Sequence, residues 1–266
     1  MSVRKPNSEW GPFFDRLSRS RRRALLLDYD GTLAPFHVER DQAVPDPELR
    51  HVIEGIVACG RTRVVIISGR ALRDLIPLLE MEPLPELWGC HGAERRLPTG
   101  EYVGPQLEPA AADALQQARR RASSTGLEQC CEIKPTSIAL HWRGLDETNR
   151  EHLREQARAA WEPLARDAPL ALHEFDGGLE LRAGDRHKGH AVARIVSELE
   201  DDTIVAYAGD DLTDEDAFQA LSGHGLSILV RPEHRKTAAD LWLKPPRQWL
   251  QFLQAWLAID RQGGSR

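Results

Sequence analysis

The sequence predicts an α/β protein in which a parallel sheet covered by helices is interrupted by an inserted α+β lobe. Three observations carry that prediction. Leu25-Leu26-Leu27, Val64-Val65-Ile66-Ile67 and Thr203 to Tyr207 are short, nearly continuous apolar runs, the pattern of strands buried on both faces. Each run stops abruptly at a polar turn: Asp28-Tyr29-Asp30-Gly31, Ser68-Gly69-Arg70 and Gly209-Asp210-Asp211. Between the second and third runs the pattern changes to alternation, with Ile138, Leu140 and Trp142 interleaved by Ser137, Ala139 and His141, which predicts antiparallel strands with one buried and one exposed face.

In chain order, the polar first 23 residues predict a short helix around Pro12 to Ser18 with frayed ends. After the leucine strand, Pro45-Asp46-Pro47 opens a helix whose apolar positions Leu49, Val52, Ile53, Ile56 and Val57 keep helical spacing until Gly60. The valine-isoleucine strand follows, then a helix through Leu72, Leu75, Ile76 and Leu79, a third strand near Leu87 to Cys90, and a hairpin around Leu97 to Glu101 that closes with Tyr102-Val103. Strand–helix–strand order with short connections predicts right-handed parallel crossovers. From about Gly104 a helix (Pro109 to Ser123), two strands (Glu128 to Ile133, Ser137 to Trp142), a helix (Thr148 to Leu164) and two more strands (Leu170 to Phe175, Leu179 to Arg182, joined by a turn at Asp176-Gly177-Gly178) predict a small lobe. Buried-strand patterning then returns with helices at Lys188 to Leu199 and Asp214 to Leu221, a strand at Leu226 to Val230, and one amphipathic segment from Leu241 to Leu257. The expected division is 1–103 and 186–266 for the core and 104–185 for the inserted lobe, with a loose tail at 263–266.

Composition narrows the function classes. At 266 residues, 41% hydrophobic and 29% charged, the chain fits one large globular domain with a second lobe. A net charge of −6 argues against nucleic acid or an anionic membrane as partner. Arg21-Arg22-Arg23 precedes an apolar run too short for a signal peptide or membrane span, so the chain reads as cytoplasmic. Cys59, Cys90, Cys130 and Cys131 lack C-x-x-C spacing; they read as reduced structural thiols, with adjacent Cys130 and Cys131 facing opposite sides of a strand.

The chemistry lies at the strand ends, where open α/β sheets bind ligands. Asp28 and Asp30 repel each other unless a cation intervenes. Magnesium takes oxygen ligands and needs only one or two carboxylates beside water and substrate phosphate. Asp28, the backbone carbonyl of Asp30, and Asp210 would suffice. Lys188 opens a helix where an ammonium and the helix N-terminus both face a phosphate.

Asp28-Tyr29-Asp30-Gly31-Thr32, Ser68, Lys188 and Gly209-Asp210-Asp211 resemble, in order, the four motifs of the haloacid dehalogenase superfamily, and the lobe between the second and third motifs resembles a type 2 cap. The resemblance implies a Rossmann-like parallel-sheet core with an inserted α+β cap. Gly209 to Phe218, Ser68-Gly69-Arg70, His91-Gly92-Ala93-Glu94, Glu132 to Ser137 with His141-Trp142-Arg143, and Glu180-Leu181-Arg182 further resemble the trehalose-6-phosphate phosphatases. Ala183 departs from the proline that often follows there. The implied activity is magnesium-dependent hydrolysis of trehalose 6-phosphate. Asp28 would be the nucleophile that forms an aspartyl-phosphate, and Asp30 the acid and base. Ser68 and Lys188 would offset phosphoryl charge beside the metal. Asp211 and Asp214 are implied as outer carboxylates that orient metal-bound water or Lys188. Arg70, Glu132, Lys134, Arg143 and Glu180 are implied as substrate-binding residues, the last four toward sugar hydroxyls. A separate trehalose-6-phosphate synthase is implied as a functional partner, since no glycosyltransferase-sized segment precedes the core.

Simpler readings stand for other residues. Thr213 is an expected helix N-cap, with Glu215 and Asp216 solvated acids of a first turn. His187 and His190 lack a third ligand for zinc; His91 and His141 read as satisfied polar groups. Rival functions are another sugar-phosphate phosphatase or phosphosugar mutase of the superfamily, because fold does not fix substrate, and a non-catalytic sugar-phosphate sensor.

Overall fold

The computed structural model describes residues 10–262, apart from 38, 176, 185 and 186. The first nine residues, Asp176 of the expected turn, the 185–186 end of the lobe and the expected tail at 263–266 lie outside the described residues. Helix α1 (Gly11–Arg19) leads into β1 (Arg23–Asp28), α2 (Pro47–Cys59), β2 (Thr62–Ile67), α3 (Leu72–Leu79), β3 (Glu86–Gly89), β4 (Glu94–Arg96) and β5 (Tyr102–Val103). Local chemistry sets these boundaries. In α2, for example, Asp46 accepts from the N–H groups of Glu48 and Leu49 ahead of Pro47, and Gly60 ends the helix at φ +64°. The lobe comprises α4 (Pro109–Ser124), β6 (Cys131–Lys134), β7 (Ser137–His141), α5 (Glu147–Asp167), β8 (Leu170–Phe175) and β9 (Gly178–Ala183). The chain returns through α6 (Lys188–Ser197), β10 (Ile204–Gly209), α7 (Glu215–Leu221), β11 (Leu226–Val230), β12 (Leu241–Leu243) and α8 (Arg247–Gln262).

Two sheets result. The larger has eight strands in the order β12-β11-β10-β1-β2-β3-β4-β5, parallel from β12 to β3 and antiparallel across β4 and β5. From β1 the chain winds outward through β2 and β3, then returns on the other side at β10 and winds outward again. The winding direction therefore reverses between β1 and β10, the position where such sheets open a crevice. Leu25 and Leu27 pack into the layer that holds α1, α2, α3 and α8, while Ala24 and Leu26 pack against α6 and α7. Covering both faces is what the leucine run requires, and burial of each leucine contributes about 1.5–3 kcal/mol.

The opposite, N-terminal edge of this sheet closes over a buried ion pair. Arg23 lies 2.5 Å from Asp260 of α8. The Thr62 hydroxyl donates to the other oxygen of Asp260 at 2.7 Å, and the Trp256 indole N–H donates to Thr62 at 2.9 Å.

The smaller sheet is antiparallel, in the order β6-β7-β9-β8. Ile138, Leu140, Leu179 and Leu181 pack with α4 and α5 into a core of their own. Three expectations change here. The expected exposed face of β7 is covered, with Ser137 and Ala139 buried, because that face turns toward the larger sheet. Residues Glu128–Cys130 form a 3-10 turn and β6 starts at Cys131, so two-residue alternation does not run through the cysteine pair, and both thiols pack against the same core. The amphipathic segment from Leu241 is in fact strand β12, a break at Pro245-Pro246, and helix α8; three residues are too few to reveal strand periodicity beside a helix. All four cysteines are free. Among the described residues no helix is long and apolar enough to cross a membrane.

Candidate active site

Register brings the acidic strand ends together. Leu27 pairs with Ala208 and Asp28 with Ile67, so Asp28 lies beside Gly209, with Asp210 one residue further on. Gly31, at φ +88°, passes so close to Asp210 that a Cβ would come within 2.2 Å of its Oδ2. Any side chain there would push the two loops apart. Lys188, the first residue of α6, reaches across to donate to Asp28 Oδ1 at 2.6 Å and Asp214 Oδ1 at 2.7 Å. Thr32 donates to Asp28 Oδ2 at 3.2 Å.

Asp214 organises this floor. Its Oδ1 also accepts from the Tyr207 hydroxyl at 2.5 Å, and its Oδ2 accepts the N–H groups of Asp210 and Asp211 at 3.0 and 3.1 Å. Asp211 in turn accepts from the N–H and hydroxyl of Thr213 at 2.8 and 2.6 Å. The capping residue of this turn is therefore Asp211; Thr213 is the donor, contrary to expectation, and α7 starts one residue late at Glu215.

Asp28, Asp210 and Asp214 present carboxylate oxygens within 4.8 Å of one another, all buried. Asp210 Oδ1 is buried with no hydrogen-bond partner among the described residues. Burial, then the charge of Asp214, pushes the Asp28 carboxyl well above its ordinary range, and burial with Asp28 does the same to Asp210. Burial opposes the Lys188 ammonium, but Asp214 and Asp28 outweigh it and hold its pKa well above ordinary. One ammonium among three carboxylates leaves excess negative charge, and the donors are hard oxygens. A divalent cation such as magnesium fits that set. Asp214 is the least available ligand, because its two oxygens accept four hydrogen bonds where those of Asp28 accept two.

Asp30 sits apart from this cluster, with its carboxylate gripped by the Arg70 fork at 2.9 Å from Nε and 2.6 Å from Nη2. Ser68 is fully buried, and its hydroxyl accepts the Arg70 N–H at 3.0 Å. In this arrangement Ser68 supports the turn that aims Arg70 and does not line the cavity.

The lobe roofs a cleft whose walls include Asp28, Asp30, Arg70, Lys134, Arg143, Glu180 and Lys188. Glu132 and Lys134 of β6 and Glu180 of β9 project from one face of the cap sheet, across β7, and bind one another. Lys134 donates to Glu180 at 3.0 Å and lies 3.5 Å from Glu132, and the Ser137 hydroxyl donates to Glu180 at 2.7 Å. Burial opposes ionisation of Glu180, but Lys134 and then His91 outweigh it and hold its pKa well below ordinary. Arg143 stacks on Phe36 of the opposite rim, 4.9 Å from the ring centre.

Residues 26–246 match the family model described as Trehalose-phosphatase. The chain belongs to the trehalose-phosphatase family. It is 29% identical to a probable trehalose-phosphate phosphatase 9 of Oryza sativa subsp. japonica, over 89% of this chain and 70% of that one. It is 30% identical to a bifunctional trehalose-6-phosphate synthase/phosphatase of Thermoproteus tenax, over 81% of this chain but only 29% of the relative. In fold it is similar to the C-terminal domain of the Candida albicans trehalose-6-phosphate phosphatase, with a TM-score of 0.78 at 23% identity over 97% of this chain and 99% of that one. The architecture of this family member is thus a Rossmann-like parallel-sheet core with an α+β cap, the fold it shares with that neighbour.

Within that family frame, two of the wall residues missed by residue-level reading bear on Glu180. His91 lies 3.4 Å from Glu180 and joins the core to the cap, and Arg182 lies 3.4 Å from the same carboxylate. Burial pushes the His91 pKa down to about 4 against the pull of Glu180. Arg182 had a readable signal, since two-residue periodicity puts it on the same face of β9 as Glu180. His91 lacked one: its position depends on left-handed backbone at Cys90 and His91, at φ +49° and +54°.

Proposed function

We propose that this member of the trehalose-phosphatase family hydrolyses trehalose 6-phosphate to trehalose and phosphate in a magnesium-dependent reaction with Asp28 as nucleophile. The observation that carries the reading is the convergence of Asp28, Lys188 and Asp210 beneath a roof of sugar-compatible polar side chains. Asp28, Asp210 and the carbonyl of Asp30 would hold the metal. Bound magnesium would supply positive charge against the phosphoryl oxygens.

The protein's own groups divide the remaining work. Asp28 attacks phosphorus and carries the phosphoryl group as an aspartyl-phosphate, with Lys188 and Thr32 fixing its carboxylate. Asp30 gives a proton to the departing sugar oxygen and then takes one from the hydrolytic water. The Arg70 fork fixes its direction, so a substrate oxygen that reaches Asp30 competes with that fork. Lys188, held by Asp28 and Asp214, offsets charge on the transferring group. Asp214 and Asp211 hold the metal loop and Lys188 in place. Glu132, Lys134, Arg143 and Glu180 take the sugar, whose hydroxyls must displace some of the contacts that these side chains now make with one another. Cap residues 104–185 then close over the core formed by 1–103 and 186–266 and exclude water. Four free thiols support a cytoplasmic location, and the bifunctional relative supports functional coupling to a separate synthase.

The test is phosphate release from a panel of sugar phosphates with magnesium. Trehalose 6-phosphate is expected to be hydrolysed fastest. Another sugar phosphate turned over much faster redirects the substrate reading. An isomer with little free phosphate indicates a mutase, and tight binding without turnover indicates a sensor.

A further inference from the structure

Glu215, read from sequence as a solvated acid, is instead the centre of a clamp. Its Oε1 accepts from Arg235 Nη1 and from the Thr237 hydroxyl, the latter at 2.8 Å, and its Oε2 accepts the Ala238 N–H at 2.8 Å. The Arg235 fork has a second prong, and Nη2 donates to the backbone carbonyl of Asp211. Four residues earlier, Arg231 Nη1 donates to the carbonyl of Asp210 at 3.3 Å. Arg231 is itself fixed at both ends of its backbone: its N–H donates to Leu243 at 3.1 Å and its carbonyl accepts from the Trp242 indole at 2.8 Å. The two N–H groups of the Asp210-Asp211 turn are already held by Asp214. Every backbone polar group of the turn that carries Asp210 is therefore tied down from outside it.

We propose that Arg231 and the Glu215–Arg235 pair are positioning residues that set the height of the Asp210-Asp211 turn and thereby the affinity of the site for its divalent cation. The inference rests on the reading that Asp28 and Asp210 hold such a cation. Charge alone argues against two guanidinium groups at this place, because they repel a cation bound nearby. Their removal would tighten cation binding if charge were their only influence. Geometry works with the opposite sign: a turn that drifts carries the unpartnered Asp210 oxygen out of reach, and loss of outer partners of metal sites typically weakens binding about ten- to a hundredfold.

The experiment is calorimetric titration of the full chain with magnesium chloride, comparing parent, Arg235→Met, Arg231→Met and Arg235→Lys, with Tm recorded in the absence of cation. Arg235→Lys keeps the charge but lacks the fork that spans Glu215 and Asp211, and it covers the case in which a methionine variant fails to fold. The expected result is a magnesium Kd raised about tenfold or more in each folded variant, the lysine variant included. An unchanged or lower Kd overturns the clamp. A parent that binds no magnesium overturns the metal reading and the clamp together, whereas a parent that binds while its variants bind equally well overturns the clamp alone.

Discussion

Each end of the parallel sheet buries ionic side chains, and the two clusters close their charge differently. At the N-terminal edge one arginine meets one aspartate, whose second oxygen accepts from Thr62, itself bonded by Trp256. At the C-terminal edge, among the described residues, three carboxylates share one ammonium, and an Asp210 oxygen has no partner. Burying charge is costly in both places. A balanced cluster offsets that cost within the fold and does nothing further. An unbalanced one leaves a deficit that a cation and a phosphoryl group can fill, so stability is withheld at the site where binding and chemistry use it.

Breaking each cluster should therefore give opposite phenotypes. Asp28→Asn removes the nucleophile while it relieves crowded negative charge. Turnover is expected to fall about ten-thousand-fold in a phosphate-release assay, with Tm unchanged or raised; full turnover would remove Asp28 from its role. Asp260→Ala leaves Arg23 buried without its partner and is expected to cost about 3–5 kcal/mol in urea unfolding, while KM at low temperature stays near that of the parent. Magnesium sharpens the contrast: at a hundred times its Kd it should stabilise the parent by about 2.7 kcal/mol. Asp210→Asn should lose most of that gain, whereas Asp260→Ala should keep it, as thermal unfolding with and without chelator will report.

The smallest effect concerns His91, which bridges the lobes. Its folded pKa of about 4 lies below the ordinary 6.5, so between those values the unfolded chain binds the extra proton and stability rises with pH. Full stability from this group is present above pH 6.5 and is lost as pH falls toward 4, by roughly 1–3 kcal/mol. Unfolding of His91→Asn across that window should show a shallower slope, and an identical slope would assign the acid sensitivity elsewhere.

The contrast between the clusters also marks how far the sequence could be read. Asp28, Asp30 and Asp210 announced themselves because each follows an apolar run, and local pattern suffices to locate the end of a buried strand. Asp260 gave no such signal. It sits in an amphipathic helix, and its partner Arg23 lies 237 residues away, a pairing that only the topology creates. Glu215 misled for a related reason. Acids in a first helical turn are ordinarily solvated, and nothing local reveals that residues 235–238 fold back onto it. Ser137 and Ala139 obeyed their predicted alternation, yet their face is buried because periodicity sorts side chains between faces without saying what covers each face.

The topological switch between β1 and β10 also imposes an order in time. β1 lies at the centre of the sheet, but Lys188, which grips Asp28, follows it by 160 residues, and β10 comes later still. At about 5–20 residues per second, a ribosome needs roughly ten to thirty seconds to cover that distance. Throughout that interval one edge of this fully buried strand waits without its neighbour, a state in which strands seek wrong partners. The cap is made during the wait. Because it has its own hydrophobic core, it can fold as a unit and draw the two halves of the core together, shortening the loop that β10 must close.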